Sequence, residues 1–150
     1  MMATVTVDIT RLSNGAEIPL PSYKTTGAAG MDLAAAVDNS IEITPGDRQL
    51  IPTGFAISLP DGYEAQIRPR SGLACKQGLT VANAPGTIDQ DYRGEIAVLL
   101  INLGKYPVTI SRGMRIAQMV VAPVTQCHLN VIENLDESDR GSAGFGSTGV

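Results

Sequence analysis

The sequence contains no tryptophan, only two Phe and four Tyr, and only 17% charged residues. A hydrophobic core remains possible because 43% of the residues are apolar, but that core has to be built mainly from aliphatic side chains and Met. A chain of 150 residues has the size of one ordinary domain. We therefore expect a single aliphatic core.

Several classes of partner are disfavoured by what is missing. The net charge is −4, whereas nucleic-acid binders usually carry a basic stripe, so we expect no nucleic-acid partner. The longest apolar runs, such as residues 96–101, are too short to cross a bilayer, and the first residues lack a signal-peptide pattern. The two cysteines, Cys75 and Cys127, are expected to be reduced thiols in a cytoplasmic protein. Cys127 and His128 are adjacent, but no other ligand supports a metal site there.

Alternating apolar and polar residues indicate strands. The pattern occurs at residues 5–9, 41–43, 56–59, 65–67 and 108–110, and Gly and Pro interrupt it at short intervals. Many short strands with frequent turns predict an all-β sandwich or barrel. The apolar run 96–101 predicts a strand buried on both faces, in the core or at a subunit interface. One short helix is expected over residues 71–77, with Ser71 as a possible cap and Gly78 as its end.

The composition changes after residue 132. Residues 133–139 are acidic and the remainder is rich in glycine, so we divide the chain into a β domain, 1–132, and a mobile arm, 133–150. Gly141 to Thr148 matches the phosphate-binding loop pattern G-x-x-x-x-G-K-[ST], except that Ser147 replaces the lysine. The arm is either a disordered tail or a segment that folds over a ligand. Phe145, exposed among glycines, favours the second explanation.

Four further stretches join this arm. They are Ala29-Gly-Met-Asp-Leu33, Pro69-Arg-Ser-Gly-Leu-Ala74, the segment Gly86 to Glu95, and Gly113-Met-Arg-Ile-Ala-Gln118. In this order, ending in Arg-Gly-x-x-Gly-Phe-Gly-Ser-Thr-Gly, they resemble the five motifs of the trimeric dUTPases, from about residue 15 to the last residue. The resemblance implies a jelly-roll β-barrel with a flexible C-terminal arm. It also implies a homotrimer with three active sites, each drawing residues from all three subunits.

The implied reaction is Mg²⁺-assisted hydrolysis of dUTP to dUMP and pyrophosphate, which keeps uracil out of DNA and supplies dUMP for thymidylate synthesis. By resemblance, Asp89 is the general base for a water that attacks the α-phosphorus. Tyr92 packs against the deoxyribose and excludes a 2′-hydroxyl. Asn83 reads the O4 and N3–H edge of uracil, together with the main chain around Gly86, Ile88 and Ala97. Taken alone, Asp89 and Asn83 would be ordinary turn residues and Tyr92 a half-buried strand residue.

The resemblance assigns the other predicted site residues to the triphosphate and its metal. Asp32 is expected to hold Mg²⁺ through water, which suits an ion that gives up its hydration shell reluctantly. Phe145 is expected to stack on the uracil. The predicted triphosphate ligands are Arg70, Ser71, Gly72 and Gln118 in the β domain, and Arg140, Gly146, Ser147 and Thr148 in the arm.

Three alternatives remain open at this point. A dCTP deaminase of the same fold would need a Glu in the strand after Asp89, where this chain has Leu99 and no acid from Ile96 to Ile101. A non-enzymatic trimer that binds dUTP for regulation would not need Asp89. A purely structural β-sandwich would leave Phe145 and the motif spacing unexplained.

Overall fold

A computed structural model describes residues 4–146 of the chain, and these form an antiparallel β structure with one short α-helix. One four-stranded sheet has the order β1-β4-β8-β6, a second has the order β2-β10-β5-β7, and β3 pairs with β9. The all-β prediction with a single short helix is confirmed. The strands are β1 (Asp8–Arg11), β2 (Met31–Ala34), β3 (Ile41–Ile43), β4 (Arg48–Ser58), β5 (Tyr63–Arg68), β6 (Leu79–Val81), β7 (Gly86–Ile88), β8 (Glu95–Asn102), β9 (Val108–Ile110) and β10 (Arg115–Pro123).

The core lies between the sheets and is aliphatic, as the composition predicts. It contains buried side chains from both four-stranded sheets, including Ile51, Ile67, Val98 and Met119. Burying one such side chain stabilises the fold by about 1.5–3 kcal/mol relative to leaving it in water. Phe55 lies instead in a second, smaller cluster with Ile18, Ala34 and Ala36.

Strand β4 is longer than the sequence pattern indicates. Pro52 and Gly54 look like turn residues in the sequence, but they lie inside an 11-residue strand. The register against β8 jumps from Pro52↔Ala97 to Ala56↔Glu95, so three residues of β4 face one residue of β8. This β-bulge accommodates both Pro52, which has no N–H for the ladder, and Gly54, whose φ is +78°.

Strand β1 is shorter and later than predicted. It begins at Asp8 rather than at Val5 and pairs only with residues 55–58 of β4. Continuing that register would place Thr6 opposite Pro60, and proline cannot donate to the ladder. The alternation at residues 5–7 is therefore not used as a strand.

The predicted helix is present, but its cap differs. Helix α1 spans Ser71–Gln77, with Arg70 rather than Ser71 at the N-cap position and no side-chain cap bond. Gly78 ends the helix in the left-handed conformation at φ +69°, as its sequence position predicts. Within residues 4–146, no helix is long and apolar enough to span a membrane.

A 3₁₀ turn, Ser13–Gly15, packs directly on the β4 bulge. The N–H of Leu12 donates to the carbonyl of Gly54 at 2.8 Å, and the Gly15 and Gly54 backbones touch. A Cβ on Gly15 would collide with the Gly54 carbonyl group. Arg11 lies 4.9 Å from the Phe55 ring centre and donates to the carbonyls of Gly15 and Ile18, which fixes the turn.

Candidate active site

The segment over residues 81–97 carries the predicted base-binding and catalytic residues, and we call it the hairpin because the chain runs out along β7 and turns back into β8. Its two strands pair with different sheets, β7 with β5 and β8 with β4 and β6, rather than with each other. Its first strand, β7, pairs with β5 through Gly86↔Ile67 and Ile88↔Ala65. The N–H of Ala82 donates to the Leu99 carbonyl at 2.8 Å, which brings the segment before Asn83 against β8, close to Ala97. The main chain around Gly86, Ile88 and Ala97 is thus held by the sheets.

The predicted uracil reader, Asn83, lies over this main chain. Its Nδ2 would be only 3.4 Å from a Cβ on Gly86, whose other neighbour is Ile67. A Cβ at Gly86 would be in van der Waals contact with the Asn83 amide and would lie 3.2 Å from Ile67 Cβ, so glycine keeps this approach uncrowded. Asn83 itself is exposed, and its amide can present a donor and an acceptor to a ligand.

Asp89 follows β7 directly and is exposed. Its carbonyl accepts the N–H of Tyr92 at 3.1 Å, which closes the tip of the hairpin. Among residues 4–146, no side chain or N–H hydrogen-bonds or ion-pairs with its carboxylate. The carboxylate borders an open cavity of about 780 Å³ that Tyr63 and Glu64 also line. Asp89 is therefore free to bind and orient a water molecule.

Tyr92 is held at the tip of the hairpin, just before β8 begins. Its hydroxyl donates to the carbonyl of Glu95 at 2.9 Å, and its ring lies against Gly94. A Cβ on Gly94 would lie 2.6 Å from Tyr92 Cζ, so only glycine permits this ring position. The side chain remains 46% exposed, which leaves part of the ring available to a ligand.

The residues predicted to bind the triphosphate and its metal are linked by ion pairs and hydrogen bonds. Asp32 on β2 accepts two guanidinium groups, Arg70 Nε at 3.2 Å and Arg115 Nη1 at 3.0 Å. Arg70 also donates to the Arg115 carbonyl at 3.2 Å, and Gln118 Nε2 donates to the Pro69 carbonyl at 2.9 Å. Strands β2 and β10 and the segment before α1 therefore form one polar cluster, which also places Ser71 and Gly72 beside Arg70.

Arg115 is the member of this cluster to which sequence reasoning assigned no role. It lies inside one of the five motifs, but its contact with Asp32 depends on the pairing of β10 with β2. Only that long-range register brings the two residues together. The sequence signal was the motif itself, without a partner.

The arm is exposed and makes its contacts locally. Arg140 Nε donates to the Ala143 carbonyl at 2.9 Å, and Phe145 is fully exposed with φ +51°. Gly146 lies at the end of the described segment, and Ser147 and Thr148 fall outside the described residues. Among residues 4–146, no hydrogen bond joins Arg140 or Phe145 to the hairpin or to the Asp32 cluster.

The structure thus defines an all-β protein in which the carboxylate of Asp89 has no partner among residues 4–146 and the arginine-rich cluster around Asp32 forms a separate polar site. A family model described as dUTPase matches residues 16–149. The chain belongs to the dUTPase family.

Individual proteins that resemble this chain are also described as dUTPases. A deoxyuridine 5′-triphosphate nucleotidohydrolase of Rhizobium johnstonii is 58% identical, covering 97% of this chain and 94% of the relative. A point mutant of the Staphylococcus bacteriophage 80alpha dUTPase, solved with dUpNHpp, has a TM-score of 0.83 at 28% identity, covering 98% of this chain and 100% of its own. A mutant dUTPase from S. aureus phage phi11, whose structure reveals the coordination of a structural Mg(II) ion, has a TM-score of 0.78 at 23% identity, covering 89% and 100%.

Proposed function

We propose that this chain hydrolyses dUTP to dUMP and pyrophosphate, thereby removing dUTP before DNA synthesis and supplying dUMP. The observation that carries the proposal is the hairpin, which places Asn83, the unpaired Asp89 and the anchored Tyr92 within ten residues. The 58% identity to a deoxyuridine 5′-triphosphate nucleotidohydrolase over nearly the whole chain supports it.

Asp89 is the proposed general base. An exposed carboxylate without a protein partner can accept a hydrogen bond from water and take its proton as the water attacks the α-phosphorus. The leaving group is pyrophosphate, and the other product is dUMP. A binding protein would have no use for such a group at this position.

The hairpin is proposed to select the base and the sugar. The Asn83 amide and the main chain of Gly86, Ile88 and Ala97 provide fixed donors and acceptors for uracil, and cytosine would leave some of these unpaired. The ring of Tyr92 is proposed to pack against the deoxyribose and to leave no room for a 2′-hydroxyl.

The Asp32 cluster is proposed to bind the triphosphate and its metal. Arg70 supplies a planar guanidinium fork, Gln118 an amide, and Ser71 and Gly72 a hydroxyl and an unobstructed N–H. The Asp32 oxygens each bind one guanidinium, and a carboxylate has about four acceptor sites, so it can still accept water from a hydrated Mg²⁺. No group of three or more His, Cys, Asp or Glu residues that could hold a metal ion occurs among residues 4–146. When bound, Mg²⁺ would neutralise charge on the phosphates.

A homotrimer is proposed as the working assembly. The outward face of β8 is only half-buried in one chain, and Leu50, which is paired with Leu99, is 62% exposed. Residues 124–135 add further exposed apolar side chains, among them Leu129 at 82% and Val131 at 95%. Such surfaces indicate protein contacts. In this chain β8 is buried on one face only, so the predicted burial of residues 96–101 on both faces would require the proposed trimer.

The arm, residues 133–150, is proposed as a separate closing segment. In the bound state Phe145 would stack on uracil, while Arg140, Gly146, Ser147 and Thr148 would contact the γ-phosphate and exclude water. The barrel, residues 1–132, would not need the arm to fold. Free thiols at Cys75 and Cys127 agree with a reducing, cytoplasmic location.

The decisive experiment measures pyrophosphate release from dUTP, UTP, dCTP and dTTP, with and without Mg²⁺. We expect turnover of dUTP alone, increased by Mg²⁺. Failure to release pyrophosphate from dUTP, with dUTP still bound, would favour the regulatory binding protein. Ammonia from dCTP in the same assay would instead indicate a deaminase, despite Leu99 in β8.

A further inference from the structure

Glu95 joins the catalytic hairpin to the rest of the barrel. It is the first residue of β8, three residues after Tyr92, and its side chain is half-buried. Its carboxylate oxygen Oε1 accepts two hydrogen bonds, from Asn14 Nδ2 at 2.7 Å and from the Gly54 N–H at 2.8 Å. Both donors are distant in sequence, so one side chain ties three segments together.

The β4 bulge explains why this side chain is needed. Between Pro52↔Ala97 and Ala56↔Glu95 the regular ladder between β4 and β8 is interrupted. The N–H of Gly54 donates to the Glu95 carboxylate, and the buried hydroxyl of Thr53 donates to the Ile96 carbonyl at 2.6 Å. The start of β8 is therefore held by side chains where backbone pairing fails.

The other donor, Asn14, sits in a rigid turn. Its carbonyl accepts Arg112 Nη2 at 2.8 Å, and the next residue, Gly15, is packed on Gly54 and bonded to Arg11. Glu95 is thus attached to a fixed support rather than to a mobile loop.

The main-chain carbonyl of Glu95 contacts Tyr92, the residue that is proposed to exclude a 2′-hydroxyl. This carbonyl is the acceptor for the Tyr92 hydroxyl. We infer that Glu95 is a positioning residue. Its carboxylate fixes the start of β8, and its main-chain carbonyl thereby fixes the position of the Tyr92 ring. This inference rests on the proposed function, because it makes Glu95 a determinant of discrimination against a 2′-hydroxyl without contact to the substrate.

The test compares Glu95→Ala with Glu95→Gln, and with Glu42→Ala as a control carboxylate on the exposed side of β3. The readout is the ratio of kcat/KM for dUTP to that for UTP. This ratio does not depend on the fraction of folded enzyme, so a merely structural role would not change it. We expect Glu95→Ala to lower the ratio about tenfold, since small misplacements of positioning groups have effects of this order or larger.

Glu95→Gln retains an acceptor oxygen for both donors and should keep the ratio near that of the wild type, as should Glu42→Ala. An unchanged ratio in Glu95→Ala would overturn the inference. So would a Gln variant as impaired as the Ala variant, since charge rather than acceptor geometry would then matter. If Glu95→Ala does not fold, Asn14→Ala removes one of the two donors and should lower the ratio about threefold; an unchanged ratio there counts against the inference.

A second readout needs no substrate. Amide hydrogen exchange followed by NMR should be faster at Gly54 and Tyr92 in Glu95→Ala, and unchanged in Glu42→Ala. If the wild type fails to hydrolyse dUTP, the proposed function fails while this experiment still decides whether Glu95 anchors the hairpin. Unaltered exchange at both amides would show that it does not.

Discussion

The hairpin over residues 81–97 and the arm over residues 133–146 both carry predicted ligand-binding residues, yet they are built differently. The hairpin is paired with β5 and β8, and Tyr92 is anchored on Glu95. The described part of the arm is exposed, and among residues 4–146 Arg140 bonds only within its own turn. Under the proposed function, the groups that would discriminate between bases and sugars are fixed beforehand, whereas the groups that would close over the substrate are not tied to the barrel.

The largest effect is expected when the proposed general base in the hairpin, Asp89, is replaced. Asp89→Asn should lower kcat about 10³-fold, because the amide cannot accept the proton of the attacking water. The affinity for dUTP should be retained, since Asn83 and Tyr92 are untouched. Single-turnover kinetics and calorimetric titration with a non-hydrolysable dUTP analogue would check this. A variant with normal kcat would remove Asp89 from the mechanism.

Removal of the arm should have the next largest effect. A chain ending at Asp139 should lose about 10²-fold in kcat/KM for dUTP, because the triphosphate is no longer aligned. The midpoint of thermal unfolding should remain that of the full chain, since residues 133–146 bury almost nothing. A large drop in that midpoint would show instead that the arm is part of the fold.

Part of the arm's contribution to dUTP binding can be tested at the aromatic ring of Phe145. Phe145→Ala should raise KM for dUTP about tenfold, because stacking of a base on an aromatic side chain is worth roughly 1–3 kcal/mol. Tyr106→Ala, at another exposed aromatic residue that has no proposed role, is the matched control. Equal effects of the two substitutions would argue against stacking.

The smallest expected effect sharpens the description of the hairpin. Tyr92→Phe removes only the hydrogen bond to the Glu95 carbonyl and should reduce the dUTP/UTP ratio of kcat/KM about threefold. Tyr106→Phe, on an exposed loop residue, should leave it unchanged. If Tyr92→Phe also leaves the ratio unchanged, packing against Gly94 suffices to hold the ring.

Sequence reasoning succeeded where local pattern and motif coincide. Alternation in residues 41–43, 65–67 and 108–110 predicted β3, β5 and β9, and Gly78 predicted the end of α1. It failed where pairing overrides local signals. Pro52 and Gly54 suggested a turn, but β4 continues through them because β8 pairs with it on both sides of the bulge. The local sequence does not reveal that pairing.

The same limit applies to the site. The motifs pointed to Asp32 and Arg70 separately, but their ion pair depends on the segment before α1 reaching β2. Arg115 and Glu95 lie inside two of the motifs, but nothing in the local sequence shows what they contact, since their partners lie 83, 81 and 41 residues away. Residues whose role is to hold others in place are recognised only once the register is known.

The contact between Gly15 and Gly54 has a consequence for how this protein can change. Most tight contacts can be relieved by making the partner smaller, so a harmful substitution on one side is often rescued from the other. Here both partners are already the smallest residue, and Gly54 also has a left-handed φ. Neither position can compensate for the other, so no substitution at one glycine would be suppressed by a substitution at the other.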